Sequence, residues 1–317
     1  MMQVLAGIAL SAAMTLFSSL LSQAVQLLPT IVNDNWPHFS PDGSHIAFVS
    51  NRGGQRAPYI MLSDGSAITR VPVVLQDKQF FGSVGWLSAA KLLYTLYTPI
   101  RLGAYDNGGE IDVFMSEMTS GLKPELVYAG INIQRPDASP SRESLVFEAE
   151  HGAFQTQPNI DVEMVDLSTL TLHVLTHNDG TYIQTAWSPD GVKIAYACAP
   201  RKQPLQICTM KTDGTDVKVL TSDSGSHQWP AWSPDSKRIA YFNETKIDGR
   251  IDSTICVVDS DGGNEHAITS HTGIIRDETP SWAPDGASIV FQTDRTGSGF
   301  RIAVIHPDGS GLQFLTK

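Results

Sequence analysis

Apolar residues fall along this chain in short runs bounded by turn-forming residues, and the runs recur in a fixed order. One set is Ile46–Val49, Leu92–Tyr94, Leu145–Phe147, Ile194–Ala197, Ile239–Phe242 and Ile289–Phe291. Each is followed by a polar stretch and a second run such as "YIML", "DVFM", "VEMV", "QICTM", "TICVV" or "RIAVI". An Asp-Gly pair comes next in several copies (Asp64-Gly65, Asp213-Gly214, Asp261-Gly262 and Asp308-Gly309) and supplies the positive φ of a tight hairpin. A short run then closes on Leu-Thr or similar, as in "HVLTH", "KVLTS", "HAITS" and "LQFLT". With the stretch that leads into each turn, this predicts four short strands per unit. No long segment has a 3.6-residue period, so a helical repeat is excluded.

The turns give the period. "PHFSPDGSHIAFV", "TAWSPDGVKIAYA", "PAWSPDSKRIAYF" and "PSWAPDGASIVFQ" are versions of one block, and its prolines stand at 41, 140, 189, 234 and 284. Two further copies are degenerate: "VGWLSAAKLLYTL" keeps the Trp without Pro-Asp-Gly, and "RPDASPSRESLVFEA" keeps Ser-Pro without the Trp. Six units of roughly 45–50 residues result, starting near 37, 84, 136, 185, 230 and 280. Their strand grammar is that of a propeller blade, which predicts an all-β, six-bladed β-propeller of four-stranded antiparallel blades. Inside the block, Pro fixes φ, Asp bonds its own backbone and Gly takes the left-handed corner. The aromatic residue two places before Pro is expected to pack between blades. A block repeated in every unit is scaffold.

The residues "AWSPDGVKIAYA", then "QICTM", Asp-Gly and "KVLTS", resemble the WD40-like repeat in the propeller domain of the TolB family. That repeat also occurs in prolyl-oligopeptidase-type peptidases. The resemblance runs over residues 33–317 and is strong in units 1, 4, 5 and 6. It implies a propeller, and a TolB-like role in binding other proteins of the cell envelope. Full-length TolB carries an α/β domain ahead of its propeller, to which nothing here corresponds.

Met1–Asn33 has no charged side chain, and "VLAGIALSAAMTLFSSLL" is almost wholly apolar or small. Residues 1–24 are expected to be a signal peptide or an uncleaved anchor, with the propeller spanning 25–317. The implied location is periplasmic or secreted. Acidic residues number 33 against 22 basic, a formal charge of −11, which opposes nucleic-acid binding and supplies no polybasic membrane patch. The expected form is a monomer. Three cysteines exclude a disulfide-built fold; Cys198 and Cys208 are either a cross-strand disulfide or two small buried hydrophobes.

Function is expected where the units disagree, in the segments leading into each innermost strand. These place Asn33, Asp34, Gln134, Arg135, Gln184, His227, Gln228, Arg276, Asp277 and Glu278 around one mouth of a central channel. The partner is another envelope protein or a small ligand. No cofactor motif is present, although Asp34, Asp277 and Glu278 could offer oxygens to Ca²⁺. There is no G-x-S-x-G, phosphate loop or H-E-x-x-H, so a non-catalytic module is expected. The rival is a metal-dependent carbohydrate-active enzyme like the oligogalacturonate lyases, which would need His177, His227 and His271 to converge. Three long loops, Tyr97–Glu110, Glu150–Asn159 and Asn243–Ser253, could shape a partner surface. "QLLPTIV" (Gln26–Val32) could add to the edge of the last blade; otherwise side-chain packing alone closes the ring.

Overall fold

The structure, a computed structural model, describes residues 31–317 except 74, 76–78, 103–104, 119–124, 132, 152–158, 178–179 and 201; it describes side chains outside 99–110, 130–135 and 150–159. The chain divides into two compact units, Met1–Val32 and Asn33–Lys317, and every described strand lies in the second. The expected signal segment and Gln26–Thr30 lie outside the described residues.

Among the described residues, twenty-four strands follow one another in six sets of four, each set an antiparallel meander. Their first strands are Asp34–Phe39, Phe80–Ser88, Ile133–Ala138, Gly180–Trp187, Ser226–Trp232 and Asp277–Trp282. One parallel bridge, Ile160 with Thr181, joins the third and fourth sets, and another, Ser253 with Arg276, joins the fifth and sixth. Alternation within strands sends large side chains to both faces of each sheet, so six apolar clusters form, each between neighbouring sets. One of them brings Phe48, Tyr59 and Met61 of the first set against Val290 and Ile302 of the last. Backbone supports the same junction, because Asp34 N donates to Phe300 O at 3.0 Å and Phe300 N donates to Asn33 Oδ1 at 3.0 Å. The chain is an all-β propeller.

The turn block folds as its residue types require. In units 1, 4 and 5 the serine hydroxyl donates to the aspartate two places on, at 2.6 Å in Ser40–Asp42, Ser188–Asp190 and Ser233–Asp235. The next residue sits at positive φ and returns its N–H to the serine carbonyl, as Gly43 does to Ser40 at 2.8 Å. Arg142 and Ser236 hold the same corner at φ 63° and 57° and carry the steric cost that glycine avoids. Unit 2 lacks the block, and there Ser88 Oγ accepts the N–H of Ala90 and Lys91 instead.

The Leu-Thr endings have an equally local cause. Outer strands are two residues long in units 4, 5 and 6, so the inter-strand ladder stops early. The hydroxyls of Thr176, Thr221, Thr269 and Thr316 then accept the N–H of Val162, Ile207, Ile255 and Ile302 at 2.9–3.0 Å. Each pairing satisfies a buried donor that would otherwise be orphaned.

Two expected loops are strands. Arg238–Ile247 and Arg250–Asp259 run as a long hairpin through Asn243–Ser253, turning at Asp248-Gly249, both at positive φ. Lys91–Leu102 and Tyr105–Glu117 likewise extend through Tyr97–Glu110. In Asn243–Ser253 the polar composition marks exposure, and a two-stranded ribbon meets its backbone hydrogen bonds while staying exposed. In the third, His151 pairs with Asn159, and 152–158 lies outside the described residues. Cys198 and Cys208 are joined as a disulfide, their Cα atoms 5.9 Å apart on adjacent strands, while Cys256 is free and buried.

Candidate functional site

All six first strands interrupt their pairing at the same place, with register shifts such as Asn35/His38, Phe81/Val84, Gln228/Ala231 and Glu278/Ser281. At these bulges Trp36, Gln184, Trp229 and Thr279 take φ between 53° and 61°, and three of the four stand directly before proline. A bulge releases one backbone N–H from the ladder and turns a side chain toward the axis. Side chains of neighbouring units claim the released donors: Trp229 N donates to Gln184 Oε1 at 2.8 Å and Trp36 N to Gln292 Oε1 at 2.9 Å.

From this a polar belt follows. Gln184 Nε2 donates to Gln228 Oε1 at 3.2 Å, and Gln228 Nε2 reaches Ser226 Oγ at 3.3 Å and Glu244 Oε2 at 3.5 Å. Gln292 Nε2 donates to Glu278 Oε2 at 2.8 Å. Burial pushes the Glu278 carboxyl above its ordinary range, against the pull of Gln292 and Arg276; Asp294 and Glu244 push it further up. Amides and carboxylates of units 4, 5 and 6 are thus brought together beside Trp36 and Trp229, whose rings stack at 6.1 Å.

Beyond the two tryptophans lies a cavity of about 320 Å³ lined by first strands and turn blocks, and all six tryptophans of the chain border it. The block tryptophans do pack between units as expected: Trp232 and Trp282 belong to inter-unit clusters, and Trp232 Nε1 donates to Ala186 O of the preceding unit at 3.2 Å. They wall the channel as well. A histidine and a carboxylate face the cavity and are enclosed by protein. Burial lowers His38 to about 4 and raises Asp137 to about 6, although Asp137 Oδ2 accepts Trp187 N at 2.8 Å. Aromatic walls with one carboxyl suit a small apolar or cationic ligand.

The ten sequence-selected residues divide into four groups. Gln184, Gln228 and Glu278 form the belt. Asp34 and Asp277, both fully buried, are scaffold. Arg52 binds Asp34 at 2.8 Å and Arg295 binds Asp277, each eighteen residues downstream, so the two units repeat one anchor. The flanking residues repeat too: Asn33 N donates to Asn51 Oδ1 and Arg276 N to Asp294 Oδ1, both at 2.7 Å. Arg276 also pairs with Asp294 through Nε at 2.9 Å and covers the Phe300 ring at 4.5 Å. The three carboxylates considered for Ca²⁺ therefore have Arg52, Arg295 and Gln292 as partners. Gln134 and Arg135 lie on the first strand of unit 3, Gln134 in register with Glu148.

His227 stands apart, fully buried beside Tyr241 at 4.9 Å between ring centroids. Asp223 and Glu265 are its charged neighbours, and desolvation lowers its pKa against their pull. His271 is elsewhere, with Nε2 at 3.2 Å from Ser253 O and Nδ1 at 3.7 Å from Asp252. Among the described residues, the group of His, Cys and carboxylates within metal-binding reach is Asp223, His227 and Glu265, without His177 or His271.

Sequence reasoning missed Glu244 and Gln292, which lie on second strands. The signal was a polar residue inside an otherwise apolar run, in "IAYFNET" and "IVFQT". Trp36 and Trp229 were missed because they do not belong to the repeated block.

No family model matches the chain, and no curated protein matches it by sequence. Solved structures do. A TolB from Acinetobacter baumannii superposes with a TM-score of 0.61 at 21% identity, over 94% of this chain and 67% of that one. A TolB from Agrobacterium tumefaciens gives 0.60 at 20%, over 80% and 86%. An oligogalacturonate lyase from Vibrio parahaemolyticus gives 0.56 at 14%, over 92% and 80%. The fold is that of the TolB-like β-propellers, a fold shared by binding proteins and enzymes alike.

Proposed function

We propose that this propeller is a non-catalytic binding module of the cell envelope that holds a partner protein over the channel mouth. The observation that carries the reading is the hydrogen-bonded belt of Gln184, Gln228, Glu244, Glu278 and Gln292. Gln184 and Gln292 are buried and hold the belt together, and Glu244 and Glu278 give it two carboxylates in a chain of net charge −11. The complementary partner is an extended segment with Lys or Arg and free backbone donors, which steers in on charge and is fixed by hydrogen bonds. The apolar amino-terminal run is consistent with export, and the TolB-type neighbours supply the analogy for envelope binding.

The test is capture from envelope extract with the wild-type chain and with Gln228→Ala/Glu244→Gln/Glu278→Gln. Specific partners should be lost or fall at least tenfold in the triple variant, with its far-UV circular dichroism and melting unchanged. An unchanged set of partners overturns the belt as the binding surface. Turnover of oligogalacturonate by the wild-type chain would overturn the non-catalytic reading.

A further inference from the structure

We infer that Asp223, His227 and Glu265 form a binding site for a divalent transition-metal ion, set between units 4 and 5 and separate from the channel belt. The three come from different places in the fold. Asp223 lies in the connection between units, His227 on the first strand of unit 5, and Glu265 just ahead of that unit's outer strand. One donor atom from each residue lies within 4.8 Å of the other two. His227 Nε2 is 2.9 Å from Asp223 Oδ1, and His227 Nδ1 is 4.0 Å from Glu265 Oε1. Ligands held about 2.1 Å from a tetrahedral ion stand roughly 3.4 Å from one another, within the 4.8 Å that encloses one donor atom from each of the three residues.

The imidazole gives the second and independent observation. It is fully buried, and among the described residues neither ring nitrogen meets hydrogen-bond geometry, although Nε2 lies 2.9 Å from Asp223 Oδ1. Proteins seldom leave a buried polar group without a well-formed hydrogen bond. An ion seated among the three would satisfy one of its nitrogens.

The surroundings hold the donors as an outer shell does. Tyr241 donates its hydroxyl to Glu265 Oε1. Asp223 Oδ1 accepts Gly225 N at 2.7 Å, and Asp223 Oδ2 accepts Asn243 Nδ2 at 3.2 Å. His227 N donates to Leu205 O at 2.8 Å, tying the strand that carries the imidazole to the preceding unit. Gly225 makes this possible, because a Cβ there would stand 1.9 Å from Asn243 Oδ1. Such second contacts orient ligands before the ion arrives.

Access and donor type narrow the ion. The Asp223 side chain is 53% exposed and that of Glu265 35%, so an ion can enter from solvent on the carboxylate side while the imidazole stays dry. One nitrogen and two carboxylates suit Zn²⁺, Mn²⁺ or a similar ion; Ca²⁺ and Mg²⁺ take oxygen alone. Three protein ligands leave a coordination position for water or for a group from outside.

The tag-free full chain, stripped with chelator, is titrated with ZnCl₂ by calorimetry near neutral pH. One equivalent should bind, and zinc absorption-edge spectra should show one imidazole with oxygen donors. Asp223→Asn and Glu265→Gln, which alter exposed side chains, should each weaken binding tenfold or more. His227→Gln should abolish the imidazole signature, and His271→Gln should leave affinity unchanged. Absence of binding at millimolar zinc overturns the site. So does affinity that survives Asp223→Asn and Glu265→Gln, which would leave His227 an ion-pairing residue only.

Discussion

His38 and Asp137 show how one enclosure acts on two residue types in opposite directions. Burial disfavours charge, so the imidazole falls to about 4 and the carboxyl rises to about 6. Asp137 binds its proton more tightly in the folded chain, so its contribution is complete below pH 4 and is lost as pH rises through 6. His38 binds its proton less tightly when folded, so its contribution is complete above pH 6.5 and is lost as pH falls through 4. Each shift corresponds to at most about 3 kcal/mol, and the two windows overlap with opposite sign. Stability measured by urea unfolding should therefore vary little between pH 4 and 6.5 on their account. His38→Gln should expose a decline with rising pH across this window, and Asp137→Asn a rise. Parallel profiles for the two variants would show that the enclosure does not act on these groups.

Each element here is stabilised by a device placed at its end. The closing threonines matter because a two-residue outer strand cannot satisfy the third strand's backbone. Thr221→Val, Thr269→Val and Thr316→Val keep the shape and remove the acceptor for Ile207, Ile255 and Ile302. Each should cost about 1–3 kcal/mol, the penalty of a buried unsatisfied N–H. Denaturant titration of the three variants supplies an internal comparison, since the same bond is deleted in three units. Costs below half a kcal/mol in all three would mean that water reaches the orphaned donor. The bulges of the first strands are the second device, and they trade ladder pairing for side chains that face the axis.

At the scale of the whole molecule, the first and last units meet through one apolar cluster and the Asn33–Phe300 bonds, and both units repeat the same buried aspartate–arginine anchor. Removing one partner of such a pair leaves an uncompensated charge inside. Asp277→Ala should therefore cost about 3–5 kcal/mol, and Asp277→Ala/Arg295→Met should recover much of that. Urea unfolding of the single and double variants decides it. A double variant no more stable than the single would show that Thr293 and the neighbouring backbone, and not the charge, account for the loss.

What the sequence by itself determined is everything that acts over a few residues. Turn chemistry at Ser-Pro-Asp-Gly, the Asp-Gly hairpins, the Leu-Thr closures and the strand runs are local, so their spacing alone told the fold and its repeat. The same logic marked the variable positions ahead of each block, and Gln184, Gln228 and Glu278 lie in the belt. Only the tertiary structure decided which of those residues meet. Gln184 reaches Gln228 and Trp229 one unit on, Gln292 reaches Trp36 across 256 positions, and Glu265 stands beside His227. Such pairings depend on how the units are turned about the axis and on the register shift at each bulge, and no sequence spacing records either. Asp34 and Asp277 looked like binding residues because they are charged and lie in variable segments; burial against Arg52 and Arg295 made them anchors.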